Sequence, residues 1–140
     1  MTKAVGVDLG SRRIGIAVSD AAGSLAFPRP YIERHTERAL DHRAIAEVAE
    51  EAGAQVVVVG LPLSLDGSRG PAARAAEEEA QALAAVLAPR GVSVETHDER
   101  LTTATAGAAL GSAGAHRRQR RLRIDSAAAA VMLQSWLDAR

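Results

Sequence analysis

Ala4-Val5-Gly6-Val7-Asp8-Leu9-Gly10-Ser11-Arg12-Arg13-Ile14-Gly15-Ile16-Ala17-Val18-Ser19 is the stretch that decides the fold. Val5, Val7 and Leu9 alternate with Ala4, Gly6 and Asp8, the period of two that a strand requires. Gly10 to Arg13 reads as a turn, and Ile14, Ile16 and Val18 resume the alternation, which predicts a β-hairpin. Beyond the turn Ala21-Ala22-Gly23-Ser24, residues Leu25 to Ile32 continue as a third strand. Pro28 and Pro30 place that strand at a sheet edge, because proline has no N–H to give to a ladder.

From Thr36 the period changes to that of a helix. Leu40, Ala44, Ile45, Val48, Ala49 and Ala52 fall on one face, with Thr36 as the expected N-cap and Gly53 as the stop. Val56 to Val59 has no alternation and predicts a strand buried on both faces. The loop Gly60 to Gly70 leads into Pro71, which suits the first turn of a second helix. Ala72, Ala76, Ala80, Leu83 and Leu87 form its inner stripe. Val92 to Thr96 is a fifth strand, followed by His97-Asp98-Glu99-Arg100. A weak helical pattern runs over 103–110, residues 111–123 read as a mobile loop, and Asp125 opens a last helix to Ala139 with Trp136 in the core. The order βββαβαβα makes an α/β fold: a five-stranded mixed sheet with helices on its faces, in one domain spanning 1–140.

The composition agrees with one small core. Of the 140 residues 31 are alanine, leaving 35 larger apolar side chains, and there is a single Trp, Tyr and Phe. No cysteine is present, which removes disulfides, thiolate metal sites and cysteine nucleophiles. The opening MTKAVGVDLG has no apolar signal core and no apolar run is long enough to span a bilayer, so a soluble, cytoplasmic protein with no membrane partner is expected.

Charge is informative by position. Lys and Arg number 17 and so do Asp and Glu, for a net charge of zero. Five of those bases, Arg117, Arg118, Arg120, Arg121 and Arg123, stand in one acid-free run, and without them the rest of the chain carries about −5. Arginine suits bidentate phosphate contacts, so the run is a candidate nucleic-acid arm as well as an ordinary solvated stretch. Arg12 and Arg13 on the first turn are further candidate phosphate contacts.

Asp8 is the acid that most needs explaining, since a carboxylate inside an apolar strand is costly without a positive partner. Asp98 and Glu99 lie just past the fifth strand, and neighbours on a strand point to opposite faces, so at most one of the two is expected to join Asp8 directly. Asp125, at the start of the last helix, reads either as an N-cap or as a third acid brought across the sheet. The first, fourth and fifth strands are expected to be neighbours, and their carboxyl ends are the usual place for a site in an open α/β sheet. Carboxylates without cysteine select hard ions, so Mg²⁺ or Mn²⁺ is the expected cofactor.

These residues closely resemble one family along nearly the whole chain. Gly6-Val-Asp8-Leu-Gly10 running on to Asp20, Val59-Gly60-Leu-Pro62 with Asp66-Gly67-Ser68, Asp98-Glu99-Arg100-Leu-Thr-Thr103 and Ile124-Asp125-Ser-Ala-Ala128 are similar to the YqgF (RuvX) family of pre-16S ribosomal RNA nucleases, which resemble Holliday-junction resolvases. The resemblance implies an RNase H-like fold and a metal-dependent hydrolase cutting phosphodiesters in the 5′ leader of pre-16S rRNA, with ribosome precursors as partners. It implies catalytic roles for Asp8, Asp98, Glu99 and Asp125, with Asp8 and Asp125 as the principal metal ligands and Glu99 or Asp98 completing the site. Related resolvases carry an acid at the end of the fourth strand and another one turn into the last helix. Here Gly60-Leu61-Pro62 and Ala128 stand in those regions, so the site is expected to have moved onto the fifth strand.

The same residues admit three other readings. A four-way DNA junction is the rival substrate, and symmetric cutting of such junctions needs a two-fold dimer, so monomer against homodimer separates the two. An RNA-binding assembly factor without catalysis would use the arginine run alone. Asp8-Leu9-Gly10-Ser11 with Ile14-Gly15-Ile16-Ala17 also resembles the phosphate hairpin of actin-type and sugar-kinase ATP-binding proteins, which hold the nucleotide between two domains.

Overall fold

A computed structural model of the chain describes residues 2–101 and 117–140, apart from the side chains of 101 and 117–125. Five strands, β1 (Ala4–Leu9), β2 (Arg13–Ser19), β3 (Ala26–Glu33), β4 (Val56–Leu61) and β5 (Ser93–Asp98), form one sheet in the order β3-β2-β1-β4-β5. β1 pairs antiparallel with β2 and β2 with β3, while β4 runs parallel to both β1 and β5. The proline-bearing β3 is an edge strand as expected, and β4 is buried along its whole length.

Helices α1 (Arg38–Ala52) and α2 (Pro71–Leu87) cover one face of the sheet, and α3 (Arg117–Asp138) covers the other. The alternation of β1 sets this division. Val5 and Val7 pack with Ile14, Ile16, Ile45, Val57, Val59 and Leu83 on the α1–α2 side. Ala4 packs with Ala17, Val56, Val58, Met132, Leu133 and Trp136 on the α3 side. Each buried valine, isoleucine, leucine or methionine among them contributes roughly 1.5–3 kcal/mol, and each alanine far less. Among the described residues no helix is long and apolar enough to cross a membrane.

Several sequence expectations are corrected. α1 begins at Arg38 with Glu37 as its N-cap and without a side-chain capping bond, so Thr36 does not cap it. Its buried face is Asp41, His42, Ile45, Ala46 and Ala49, while Leu40 is exposed. The stripe is rotated because buried polar groups, taken up below, have partners that the apolar pattern does not reveal. In α2 Ala73 takes the inner position expected of Ala72. Gly53 does end α1, in the left-handed region at φ 68° that a side chain disfavours.

The largest correction concerns the arginine run. Residues 117–123 form the first two turns of α3 and are not a mobile loop. They lack apolar residues at helical spacing, but Arg, Gln and Leu are strong helix formers, and propensity prevails over the missing periodicity. Asp125 accordingly sits inside α3 and is not its N-cap. The expected loop over 111–116 and the helical stretch at 103–110 lie outside the described residues.

Candidate active site

Asp8 lies near the end of β1, opposite Gly15 of β2. Because Ala4 faces α3, alternation turns Gly6 and Asp8 to the α3 side as well. On β4 the same side carries Val56 and Val58 and then Gly60, which pairs with His97 of β5. Glu95 and His97 are tied to α3, through Trp136 Nε1 donating to Glu95 Oε1 at 3.3 Å and His97 Nε2 within 3.0 Å of Ser135 Oγ. His97 thus meets the helix through Ser135, and Trp136 lies in the core as expected. One step beyond, in a single 3-10 turn over Glu99–Leu101, Glu99 continues this line toward Asp8.

The structure separates the two acids that the sequence left open. Glu99 goes to Asp8, with which it shares a carboxyl–carboxylate hydrogen bond. Asp98 turns instead to Arg100, accepting from its backbone N–H at 2.9 Å and from Nε at 2.8 Å, with Nη2 at 2.6 Å. That Arg100 pairing, set against a small desolvation cost, holds the Asp98 carboxyl below its ordinary value. Arg100 Nη1 also donates to Leu65 O at 3.3 Å, so the Asp98–Arg100 pair braces the loop after β4.

Glu99 fits beside Asp8 because residue 60 has no side chain. A Cβ on Gly60 would stand 2.6 Å from Glu99 Cδ and 2.7 Å from its Cγ, and would overlap Oε1. At the end of β4 residue 60 carries no side chain, and Glu99 occupies the space above the Gly60 Cα. Burial, then the charge and hydrogen bond of Asp8, then the charge of Asp98, push the Glu99 carboxyl up to about 8.

The sign of that shift gives a stability prediction. Folding raises the Glu99 pKa, so its contribution is complete below the ordinary glutamate range near 4.5 and is lost as pH rises through about 8. In EDTA the wild type should lose about 2–3 kcal/mol relative to Glu99→Gln between pH 5 and 9, allowing for the partial exposure of the group. Thermal melts of both proteins across that range check it. Parallel curves would remove the Asp8–Glu99 coupling.

Asp125 is placed by its neighbour. Ser126 is fully buried, and its Oγ accepts from Ile16 N–H at 3.2 Å, beside the register shift between β2 and β3. This pins the helix backbone at 125–126 within one strand rung of Asp8, since Ile16 follows the Asp8 partner Gly15. The side chains of Asp125 and of Arg117, Arg118, Arg120, Arg121 and Arg123 lie outside the described residues. Among the described residues no group of three metal-ligating side chains stands together. Arg12 and Arg13 are exposed on the turn that follows Asp8.

A second polar cluster escaped the sequence reading. Arg34, just after β3, places Nη1 2.6 Å from Glu79 Oε2 and 3.2 Å from Asp41 Oδ2, and Nη2 3.0 Å from Glu79 Oε1. His42 Nε2 is 3.0 Å from Glu79 Oε2, and His35 Nδ1 is 2.8 Å from Asp41 Oδ1. Asp41, His42 and Glu79 are all buried. Burial alone would raise the Asp41 and Glu79 carboxyls, but hydrogen bonds from His35 and Arg34 to the first and from Arg34 and His42 to the second hold both below their ordinary values. The signal was available, because Asp41 shares the stripe of Ile45 and Ala49, and Glu79 that of Leu83 and Leu87, each at spacing four.

Comparison with known proteins now bears on the site. A family model described as RuvX, Holliday junction resolvase, matches residues 2–139. The chain belongs to the RuvX family. A RuvX relative from Rhodococcus jostii, "Putative pre-16S rRNA nuclease", is 47% identical over 97% of this chain and 77% of its own length. A protein of the same name from Anaeromyxobacter sp. strain K is 46% identical over 99% of this chain and 98% of its own. With RuvX membership comes the class of enzyme, a nuclease. Among solved structures, Thermus thermophilus RuvC in complex with a Holliday junction substrate superposes with a TM-score of 0.58 at 18% identity, covering 99% of this chain and 95% of RuvC. The Fowlpox virus resolvase, in a complex with Holliday junction DNA, gives 0.60 at 10% identity, covering 98% and 97%. At such identities the likeness shows the fold, which is RNase H-like.

Proposed function

We propose that this RuvX chain is a metal-dependent endonuclease that acts on structured RNA, in 5′-end processing of pre-16S ribosomal RNA during ribosome biogenesis. The observation that carries the reading is the Glu99 carboxyl seated on Asp8 above Gly60, at the carboxyl ends of three adjacent strands. Two carboxyls forced together repel unless they share a proton or a cation. The donors are hard oxygens in a space kept clear by a glycine, so they fit Mg²⁺ or Mn²⁺. Asp8 and Glu99 would hold the ion, and Asp125, one residue before the pinned Ser126, is the proposed third ligand. Such an ion, when bound, stabilises the charge that develops on phosphodiester oxygens and lowers the pKa of water. Asp98 acts through Arg100 by fixing the turn that presents Glu99, which makes it a positioning residue in this reading. The RNA substrate rests on the name that bacterial relatives carry, and a cytoplasmic setting is proposed along with it.

The direct test incubates the purified protein with a precursor rRNA leader and with a four-way DNA junction, side by side in Mn²⁺. Cleavage of the leader supports the proposal. Symmetric cutting of the junction alone supports the second reading, which the family description favours, and brings with it a two-fold dimer. Binding without cleavage of either supports an assembly factor.

The α3 arginines give a separate prediction. Neutralising Arg117, Arg118, Arg120, Arg121 and Arg123 together should weaken nucleic-acid binding broadly and reduce the log–log salt slope by roughly 0.9 for each lost duplex phosphate contact. Titrations at several salt concentrations measure this, and an unchanged slope means that the run does not reach the backbone.

A further inference from the structure

The buried cluster around Arg34 is more than structural fill. An ion network in a core gives little net stability compared with apolar packing, so its presence asks what it positions. Arg34, which follows β3, ties it to three other parts of the fold. Its guanidinium binds α1 through Asp41 and α2 through Glu79, and its Nε donates to Gly10 O at 3.0 Å on the β1–β2 turn. Its backbone N–H donates to Arg12 O at 2.9 Å on the same turn. Three residues earlier, on the edge strand β3, the Tyr31 ring lies 4.9 Å from the Arg13 guanidinium carbon, a cation–π contact. Residues 31–34 thus hold both arginines of the turn, Arg12 through its backbone and Arg13 through its side chain. The turn is concave: Gly10, Ser11, Arg12 and Arg13 line a space of about 300 Å³. It also follows directly on Asp8, whose carbonyl accepts from Gly10 N–H at 3.1 Å.

We propose that Arg34 and Tyr31 are positioning residues that hold the β1–β2 turn as a preformed phosphate clamp, with Arg12 and Arg13 taking a nucleic-acid phosphate adjacent to the one at Asp8. This rests on the nucleic-acid reading above. The benefit of the brace is entropic: a turn backbone and an Arg13 side chain fixed before binding lose little freedom on contact, whereas a free glycine-bearing turn would lose much. Arginine is required at 34, because a lysine can meet one carboxylate but cannot fork to Glu79 while also bonding Gly10 O.

The experiment is a double-mutant cycle on binding, read by fluorescence anisotropy with a fluorescein-labelled RNA hairpin in EDTA, where turnover is absent. Arg12→Ala and Arg34→Lys should each weaken binding by about tenfold, the scale of a charge-assisted hydrogen bond. The double variant should be little worse than either single one, because Arg34 acts through the turn. Tyr31→Ala paired with Arg13→Ala repeats the cycle without touching the buried network, in case Arg34→Lys folds poorly, and Tyr31→Phe should restore wild-type affinity. A merely structural Arg34 would lower the melting temperature while the folded protein bound RNA with wild-type affinity. That result, or additive effects in both cycles, overturns the proposal while wild-type cleavage leaves the nuclease reading standing. Wild-type protein that binds no nucleic acid defeats that reading, and the clamp with it.

Discussion

Asp8→Asn is expected to reduce metal-dependent cleavage by at least roughly 10³-fold while RNA binding stays within a few-fold of wild type. In the proposed reading several kcal/mol of charge stabilisation would depend on an ion held at this position, and each 1.4 kcal/mol is a factor of ten. The substitution keeps the shape of the side chain and removes the charge that attracts the cation, leaving Arg12, Arg13 and the α3 arginines to bind the polyanion. Stability distinguishes a functional acid from a structural one. Glu99 shares its hydrogen bond with Asp8, and the Asp8 charge is one of the causes that raise the Glu99 pKa. Neutralising Asp8 relieves that repulsion, so the variant should melt no lower than wild type in EDTA at pH 8. Wild-type cleavage rates in the variant, with contaminating nuclease excluded, would sink the assignment. A large loss of melting temperature would make Asp8 a structural residue.

Gly60→Ala should cost about 10²-fold in activity although it adds only a methyl group to a strand. The added Cβ overlaps the Glu99 carboxyl, and β4 is buried between β1 and β5, so the strand cannot retreat. Glu99 is the movable partner, and it must swing away from Asp8. A displacement of about 1 Å in a catalytic constellation is enough for a loss of that order. The fold should survive. Once Glu99 moves toward solvent, its desolvation and its contact with Asp8 both diminish, so the melting temperature of the variant in EDTA near pH 8 should hold or rise. Activity and stability measured on the same preparation decide the matter. Loss of both together would show that Gly60 serves backbone packing and not the seating of Glu99.

The hairpin, the edge position of β3, the buried β4 and the parallel return of β5 were legible because each leaves a local trace. Alternation marks β1 and β2, proline marks the edge, and an unbroken valine run marks a strand covered on both faces. The start of α1 and the face it buries were not legible, although its stop at Gly53 was. Thr36 looks like a cap and Leu40 like a core residue, yet the helix turns Asp41 and His42 inward because Arg34 and Glu79 are waiting there from other elements. The first turns of α3 were missed for a related reason: apolar periodicity reports burial, and a helix can form on propensity without it.

The candidate site divides along the same line. Which residue types could carry the chemistry follows from the chain alone, since an acid inside an apolar strand, an acidic pair after the fifth strand and a segregated arginine run are one-dimensional facts. Charge counted by position already turned a neutral chain into a basic segment beside an acidic body. The tertiary structure alone decided between Asp98 and Glu99, because that choice depends on an Arg100 side chain folding back on one and on empty space above Gly60 receiving the other. It alone joined Arg34 to the turn beside Asp8. The physical reason is that sequence records what each residue can do, whereas ion pairing, desolvation and steric vacancy belong to groups far apart in the chain and exist only once the sheet has brought them together.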